Sequence, residues 1–138
     1  MVYHQGRLLD HIHLRVGDFE RSCEFYTAIL GALGREKSVA SGRDWLECDE
    51  LYIDEASSAD RPSPVHLCFQ ADGRAAVALF YKTAMANGGR DNGAPGLRDY
   101  HPGYYAAYVL DPDGNNIEAK FDERVSTRSA PDIEIKTG

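Results

Sequence analysis

Little in this chain points to a disulfide scaffold, a membrane span or a nucleic-acid partner. Its three cysteines, Cys23, Cys48 and Cys68, are odd in number, far apart and in no C-x-x-C pairing. That argues against a disulfide framework and a thiolate zinc site, and predicts a reducing, cytoplasmic setting. No stretch approaches the roughly 20 apolar residues that a membrane helix needs, and residues 1–7 lack the apolar run of a signal peptide, so a soluble protein is expected. Cationic residues are in deficit: 15 Lys and Arg against 22 Asp and Glu leave a net charge of -7. Such a balance repels phosphate backbones and anionic lipid and favours a small-molecule partner. A length of 138 residues with 43% hydrophobic and 27% charged content fits one globular domain, residues 1–138.

What is present is an internal repeat, which constrains a fold more than local propensity does. Residues 8–16 alternate, with Leu8, Ile12, Leu14 and Val16 on one face and Leu9, His11, His13 and Arg15 on the other. Residues 65–70 do the same, setting Val65, Leu67 and Phe69 against His66, Cys68 and Gln70. Each predicted strand runs into an aspartate suited to cap a helix: Asp18 before residues 19–30 and Asp72 before residues 74–86. Apolar stripes at helical spacing follow, through Phe19, Cys23, Tyr26 and Leu30 and then Val77, Phe80, Tyr81 and Ala84, with Gly31 and Gly88 near the ends.

Residues 35–40, 43–48 and 51–54 read as a meander of short strands. Residues 104–110 and 116–121 flank Asp111-Pro112-Asp113-Gly114, whose Pro and Gly positions predict a type I turn and a hairpin. The polar connector 55–64 and the glycine-rich segment 87–103 read as loops, and the tail 122–138 as frayed or as an edge strand, from weak alternation at Ile133 and Ile135. Module one is thus about 8–54 and module two about 65–121. The expected class is α+β: paired β-α-β-β-β modules forming a cupped, half-open, barrel-like mixed sheet with helices outside.

If the sheets share a cavity, the histidines line it. On the last strand Asn116, Glu118 and Lys120 share a face, so Glu118 points the same way as His66. Two imidazoles and a carboxylate, His11, His66 and Glu118, form a divalent-metal set that leaves positions open for water or substrate. A cavity-facing carboxylate without a cation or hydrogen-bond partners is costly, which gives Glu118 a physical reason to hold an ion. His13 shares the face of His11 and reads as cavity lining in contact with substrate. Either histidine alone would more often be a half-exposed strand residue.

The residues from Leu9 to Asp18, with Arg21-Ser22 and Phe25-Tyr26, then Val65-His66-Leu67, then Asp111-Pro112-Asp113-Gly114-Asn115-Asn116-Ile117-Glu118, resemble the vicinal oxygen chelate superfamily. This superfamily includes glyoxalase I, extradiol dioxygenases and the fosfomycin- and bleomycin-resistance proteins, and the resemblance spans about residues 8–121. It implies the paired-module fold, metal ligation by His11, His66 and Glu118, and a homodimer whose sites form within one chain or across two. In glyoxalase I a further glutamate from the last strand of the first module acts in proton transfer; Asp54 aligns best with it here, one methylene shorter. Residues 88–105 resemble a bacterial subgroup of glyoxalase-like proteins.

Within that segment the glycines lack the G-K-[ST] ending of a phosphate loop and predict a mobile flap. Arg90 and Arg98 are candidate clamps for an anionic substrate, against the blander reading of solvated loop arginines. Tyr104, Tyr108 and His101 are better placed: the two tyrosines share a strand face beside Glu118, where a phenol can donate to a metal-bound oxygen, the alternative being ordinary packing. The expected activity is that of a metal-dependent glyoxalase-like enzyme, a lyase, isomerase or dioxygenase. Its single divalent ion (Fe, Zn, Ni, Mn or Co) binds vicinal substrate oxygens and stabilises an enolate or alkoxide. The alternatives are a metal-free bleomycin-resistance-like binding protein, for whose cationic ligand an acidic surface is suited, and a fosfomycin-resistance-like transferase.

Overall fold

The structure is a computed structural model that describes residues 9, 11–57, 64–128, 134 and 136–138. Among the described residues, eight strands and two long helices follow one another as two copies of β-α-β-β-β. The first holds β1 (Ile12–Val16), α1 (Phe19–Ala32), β2 (Val39–Ser41), β3 (Trp45–Cys48) and β4 (Leu51–Glu55). The second holds β5 (His66–Gln70), α2 (Arg74–Ala86), β6 (Arg90–Arg98), β7 (Tyr104–Leu110) and β8 (Asn116–Asp122). Each copy makes its own open four-stranded mixed sheet, in the orders β1-β4-β3-β2 and β5-β8-β7-β6. The first and last strands of each copy pair in parallel and all other neighbours antiparallel. Among the described residues no helix is long and apolar enough to cross a membrane.

The alternation read from the sequence sets the layers. Leu14 and Val16 are buried while His11, His13 and Arg15 are exposed; Leu67 and Phe69 pack on the core while His66, Cys68 and Gln70 turn away. Helix α1 contributes Phe25, Tyr26, Ile29 and Leu30, and α2 contributes Val77, Phe80 and Ala84, to one apolar cluster shared with both sheets. The two helices also pack on each other. Each Phe or Ile fully removed from water there stabilises the fold by about 1.5–3 kcal/mol. With helices on one face of each sheet, the other face is left for chemistry.

Asp18 caps α1 as expected, its carboxylate accepting from Arg21 N at 3.1 Å. Asp72 does not cap α2: the N-cap is Gly73, with no side-chain hydrogen bond. Gly31 lies at the end of α1, which runs to Ala32, and the left-handed residue beyond it is Gly34, at φ 80. The largest correction concerns residues 87–103, which are not a mobile flap. Arg90–Arg98 is an edge strand on β7, with register shifts between Asp91 and Gly93 and between Gly93 and Gly96. Glycine and Pro95 lower local strand propensity, but a ready partner strand and bulges override it. In the tail, residues 123–128 add no strand, and Ile133 and Ile135 lie outside the described residues, as do Leu8, Asp10 and residues 58–63 of the connector.

The predicted turn forms, with Gly114 N donating to Asp111 O at 2.9 Å and Gly114 at φ 87. It also ties the modules together. Asp111 is fully buried, and its carboxylate accepts from Tyr26 Oη of α1 at 2.5 Å, from Asp113 N and Asn115 N at 2.9 and 2.8 Å, and from Asn115 Nδ2 at 2.9 Å. Asn115 Oδ1 in turn accepts from Val65 N at 2.9 Å, and Gly17 N donates to both oxygens of Asp113 at 3.0 and 3.1 Å.

Burial and the adjacent Asp111 carboxylate push the Tyr26 phenol well above its usual range. Tyr26→Phe is expected to lower unfolding stability by about 2 kcal/mol at pH 7, as for a hydrogen bond to a charged acceptor. Because the folded pKa is raised, that contribution is fully present below the unfolded tyrosine pKa of about 10 and declines as pH rises beyond it. Urea unfolding of both proteins at pH 7 and at about pH 11 checks the size and the sign.

Candidate metal and substrate site

Two strand pairs carry the chemistry, and the parallel register explains how. On β5 and β8, His66 is opposite Asn116 and Cys68 opposite Glu118. Side chains of one face recur every second residue, so His66 reaches diagonally to the acid two positions beyond its partner. Its Nε2 lies 2.8 Å from Glu118 Oε1, and the Glu118 side chain is 1% exposed against 53% for His66. The second carboxylate oxygen accepts from Tyr104 Oη at 2.5 Å. Tyr108 is directly opposite Glu118 on β7, and its ring centroid is 6.2 Å from that of His66.

Glu118 therefore sits buried with two hydrogen-bond partners. Desolvation, together with the carboxylate, raises its neighbours: the Tyr108 phenol is pushed up to about 12 and the Cys68 thiol to about 12, and Tyr104 is raised further. At neutral pH both phenols are therefore protonated hydrogen-bond donors and Cys68 is a thiol. Tyr104 donates its proton to Glu118, and Tyr108, opposite Glu118 on β7, is the second phenol beside the pair.

The first module carries a second pair of the same kind. His13 Nε2 lies 2.6 Å from Asp54 Oδ1, again the acid two positions beyond its partner, because His13 is opposite Tyr52 and Arg15 opposite Asp54. This pair is half-exposed, and the His13 ring meets Tyr52 edge-on at 5.1 Å. It is not the repeat image of His66 and Glu118. His11 and His66 stand equally far before their helix caps, Asp18 and Gly73, so Ile12 matches Leu67 and Leu51 matches Ile117. On that correspondence Tyr52 holds the place of Glu118. Asp54 lies two residues further along and is engaged by His13. His11, His13, Tyr52, Glu47 and Glu50 line a cavity of about 320 Å³ on this sheet.

Of the three expected ligands, one chain brings together His66 and Glu118. Among the described residues no three His, Cys, Asp or Glu side chains gather so as to hold an ion, so His11 does not join them within the chain. His101 packs behind Tyr104, ring against ring at 5.0 Å, with Nδ1 2.8 Å from Pro102 O and Nε2 3.7 Å from Asp122 Oδ2. Arg98 lies over the Tyr108 ring. The sequence places Lys120 on the Glu118 face but gave it no role; its Nζ is 4.2 Å from the Tyr104 ring centroid.

The Glu118 carboxylate contributes to the raised Cys68 pKa, after desolvation. In Glu118→Gln the rate of Cys68 alkylation, followed by mass spectrometry of the Cys68 peptide against pH, is expected to shift to lower pH.

A family model described as the Glyoxalase/Bleomycin resistance protein/Dioxygenase superfamily matches residues 8–119. Among solved structures, the chain is similar to a glyoxalase/bleomycin resistance protein from Albidiferax ferrireducens T118, with 29% identity, a TM-score of 0.72, and 83% of this chain and 98% of that one covered. A glyoxalase-related enzyme from Fulvimarina pelagi matches at 22% identity and TM-score 0.63, covering 83% and 88% of the two chains. Lactoylglutathione lyase from Agrobacterium tumefaciens matches at 19% and 0.58, covering 85% and 94%; these last two likenesses speak for the fold alone. A search of curated proteins finds no match. With the family model spanning most of its length and both β-α-β-β-β modules, the chain belongs to the Glyoxalase/Bleomycin resistance protein/Dioxygenase superfamily.

Proposed function

We propose that this protein is a metal-dependent, glyoxalase-like enzyme that binds a small substrate through two adjacent oxygens. The observation carrying this reading is the pair His66 and Glu118, 2.8 Å apart, with the carboxylate buried under Tyr104. An imidazole nitrogen and a carboxylate oxygen so placed fit a divalent first-row ion by donor type, and two donors are half of a usual set. His11 is the third ligand. Since it is remote from the pair within one chain, a second copy supplies it, in a homodimer whose sites lie between chains. When bound, the ion supplies a Lewis acid that offsets negative charge developing on a substrate oxygen.

The chain's own residues prepare that site. Tyr104 holds Oε2 of Glu118 and so orients the carboxylate. Tyr108, kept protonated at neutral pH, donates to a substrate oxygen, and His101 steadies the Tyr104 ring. Asp54 fixes the His13 imidazole, which contacts substrate from the first-module cavity and gives a proton-transfer unit two residues beyond Tyr52, the repeat position of Glu118. Lyase, isomerase and dioxygenase chemistry are separated by a screen of α-ketoaldehyde adducts, catechols and epoxides.

One observation favours a second reading, a metal-free binding protein of the bleomycin-resistance type: His66 and Tyr104 already satisfy Glu118 without an ion. Titration of chelator-treated protein with Co²⁺ or Ni²⁺ separates the two. The enzyme reading expects stoichiometric binding, weakened by about 100-fold or more in His11→Ala, His66→Ala and Glu118→Gln, beyond the 10–100-fold typical of outer-shell changes. It also expects mixed His11→Ala and His66→Ala protomers to regain about one site in four, from heterodimers with one intact set. No affinity for any divalent ion, with bleomycin binding unchanged in His66→Ala, would overturn it.

A further inference from the structure

The glycine-rich strand β6 has a use that neither a phosphate loop nor a flap describes. A Cβ placed on Gly96 would stand 3.0 Å from Arg98 Nη1, and one on Gly93 would stand 3.2 Å from Arg98 Nη2 and 3.1 Å from Tyr108 Cδ2. The missing side chains are the seat of the Arg98 guanidinium. It is held there by Nη2 donating to Ala94 O at 2.7 Å and by the Tyr108 ring, whose centroid is 5.4 Å from Cζ. Nη1 makes a longer contact to Leu97 O, at 3.4 Å. A guanidinium carries five N–H donors, so most of its fork stays available.

Lys120 lies on the same face, over Tyr104, the other phenol beside Glu118. Between Tyr104 and Tyr108 the floor is Ala106, opposite Lys120 on one side and Gly96 on the other. Two cations thus rest on two aromatic rings around a small-residue floor. Among the described residues neither cation has a carboxylate in ion-pair range, in a chain that carries 22 acidic residues. A stacked, pre-positioned guanidinium fork matches a planar carboxylate in shape as well as charge.

We propose that Arg98, seated on Gly93 and Gly96 and assisted by Lys120, binds the carboxylate of a small organic-acid substrate whose neighbouring oxygen faces His66 and Glu118. The inference rests on the reading of that pair as the reactive centre, but the subsite needs no metal to bind an acid. It also runs against a cationic ligand on this face, despite the acidic surface elsewhere.

The test uses the full chain, stripped with EDTA, titrated by NMR with pyruvate and in parallel with inorganic phosphate and the neutral lactamide. Saturable binding of pyruvate over both comparison probes is expected, weakened by roughly 10-fold to 100-fold in Arg98→Ala. Gly96→Ala should weaken it in the same direction by displacing the guanidinium, with circular dichroism reporting on the fold. Lys82→Ala, an exposed cation on helix α2, should match the parent. No saturation with pyruvate, phosphate binding equally well, or an Arg98→Ala protein that binds like the parent would each overturn the proposal. Arg98-dependent pyruvate binding in a protein with no affinity for divalent ions would sink the metalloenzyme reading and leave the carboxylate subsite standing.

Discussion

The arrangement of this protein depends on one buried carboxylate. Asp111 closes the hairpin between β7 and β8, and four donors converge on it from Tyr26, Asp113 and Asn115. Burying a charge costs several kcal/mol unless it is fully hydrogen-bonded, so the turn is stable only when the donors arrive together. One of those donors comes from α1, in the other module. The same turn therefore shapes the hairpin that carries Glu118 and fastens the second module to the first. Asn115 extends the lock by accepting from Val65, at the entrance to the strand that carries His66. The geometry of His66 and Glu118 follows from a network that never touches them.

Parallel pairing of the first and last strands of each module has a chemical result. It places a histidine diagonally from an acid two residues beyond its partner, and it does so twice, in His66 with Glu118 and His13 with Asp54. The two pairs differ in surroundings. Glu118 is buried, with Tyr104 on one oxygen and Tyr108 opposite on β7, whereas His13 and Asp54 are half-exposed and His13 lines a cavity that also holds Glu47, Asp49 and Glu50. Charge is divided likewise: the chain is acidic overall, yet the face around Glu118 carries Arg98 and Lys120 stacked on aromatic rings. A net charge describes the long-range field and does not report the sign of one sheet face.

Much of this was legible without coordinates. Alternation gave the buried and exposed faces of β1 and β5, because the side-chain period of a strand is a local property. The spacing of apolar residues matched α2 over 74–86, and the Pro and Gly of the turn marked the hairpin. Glu118 and His66 were expected on one face, and they meet. The failures share a cause. Residues 90–98 have a poor strand sequence and become one only because β7 offers an open edge and bulges absorb the misfit. Asp72 looks like a cap, but the backbone enters the helix one residue later.

By itself, then, the sequence determined the duplicated unit, the two helices, the hairpin and which histidines leave the core, since each of these follows from short-range periodicity and turn chemistry. Tertiary structure decided what those side chains meet. The diagonal reach of an imidazole to an acid some fifty residues away depends on strand register. The seating of Arg98 on two glycines depends on bulges in an edge strand, and the burial of Asp111 depends on a tyrosine from the other module. Register, bulges and docking arise from packing between distant segments, whose energies no local pattern carries.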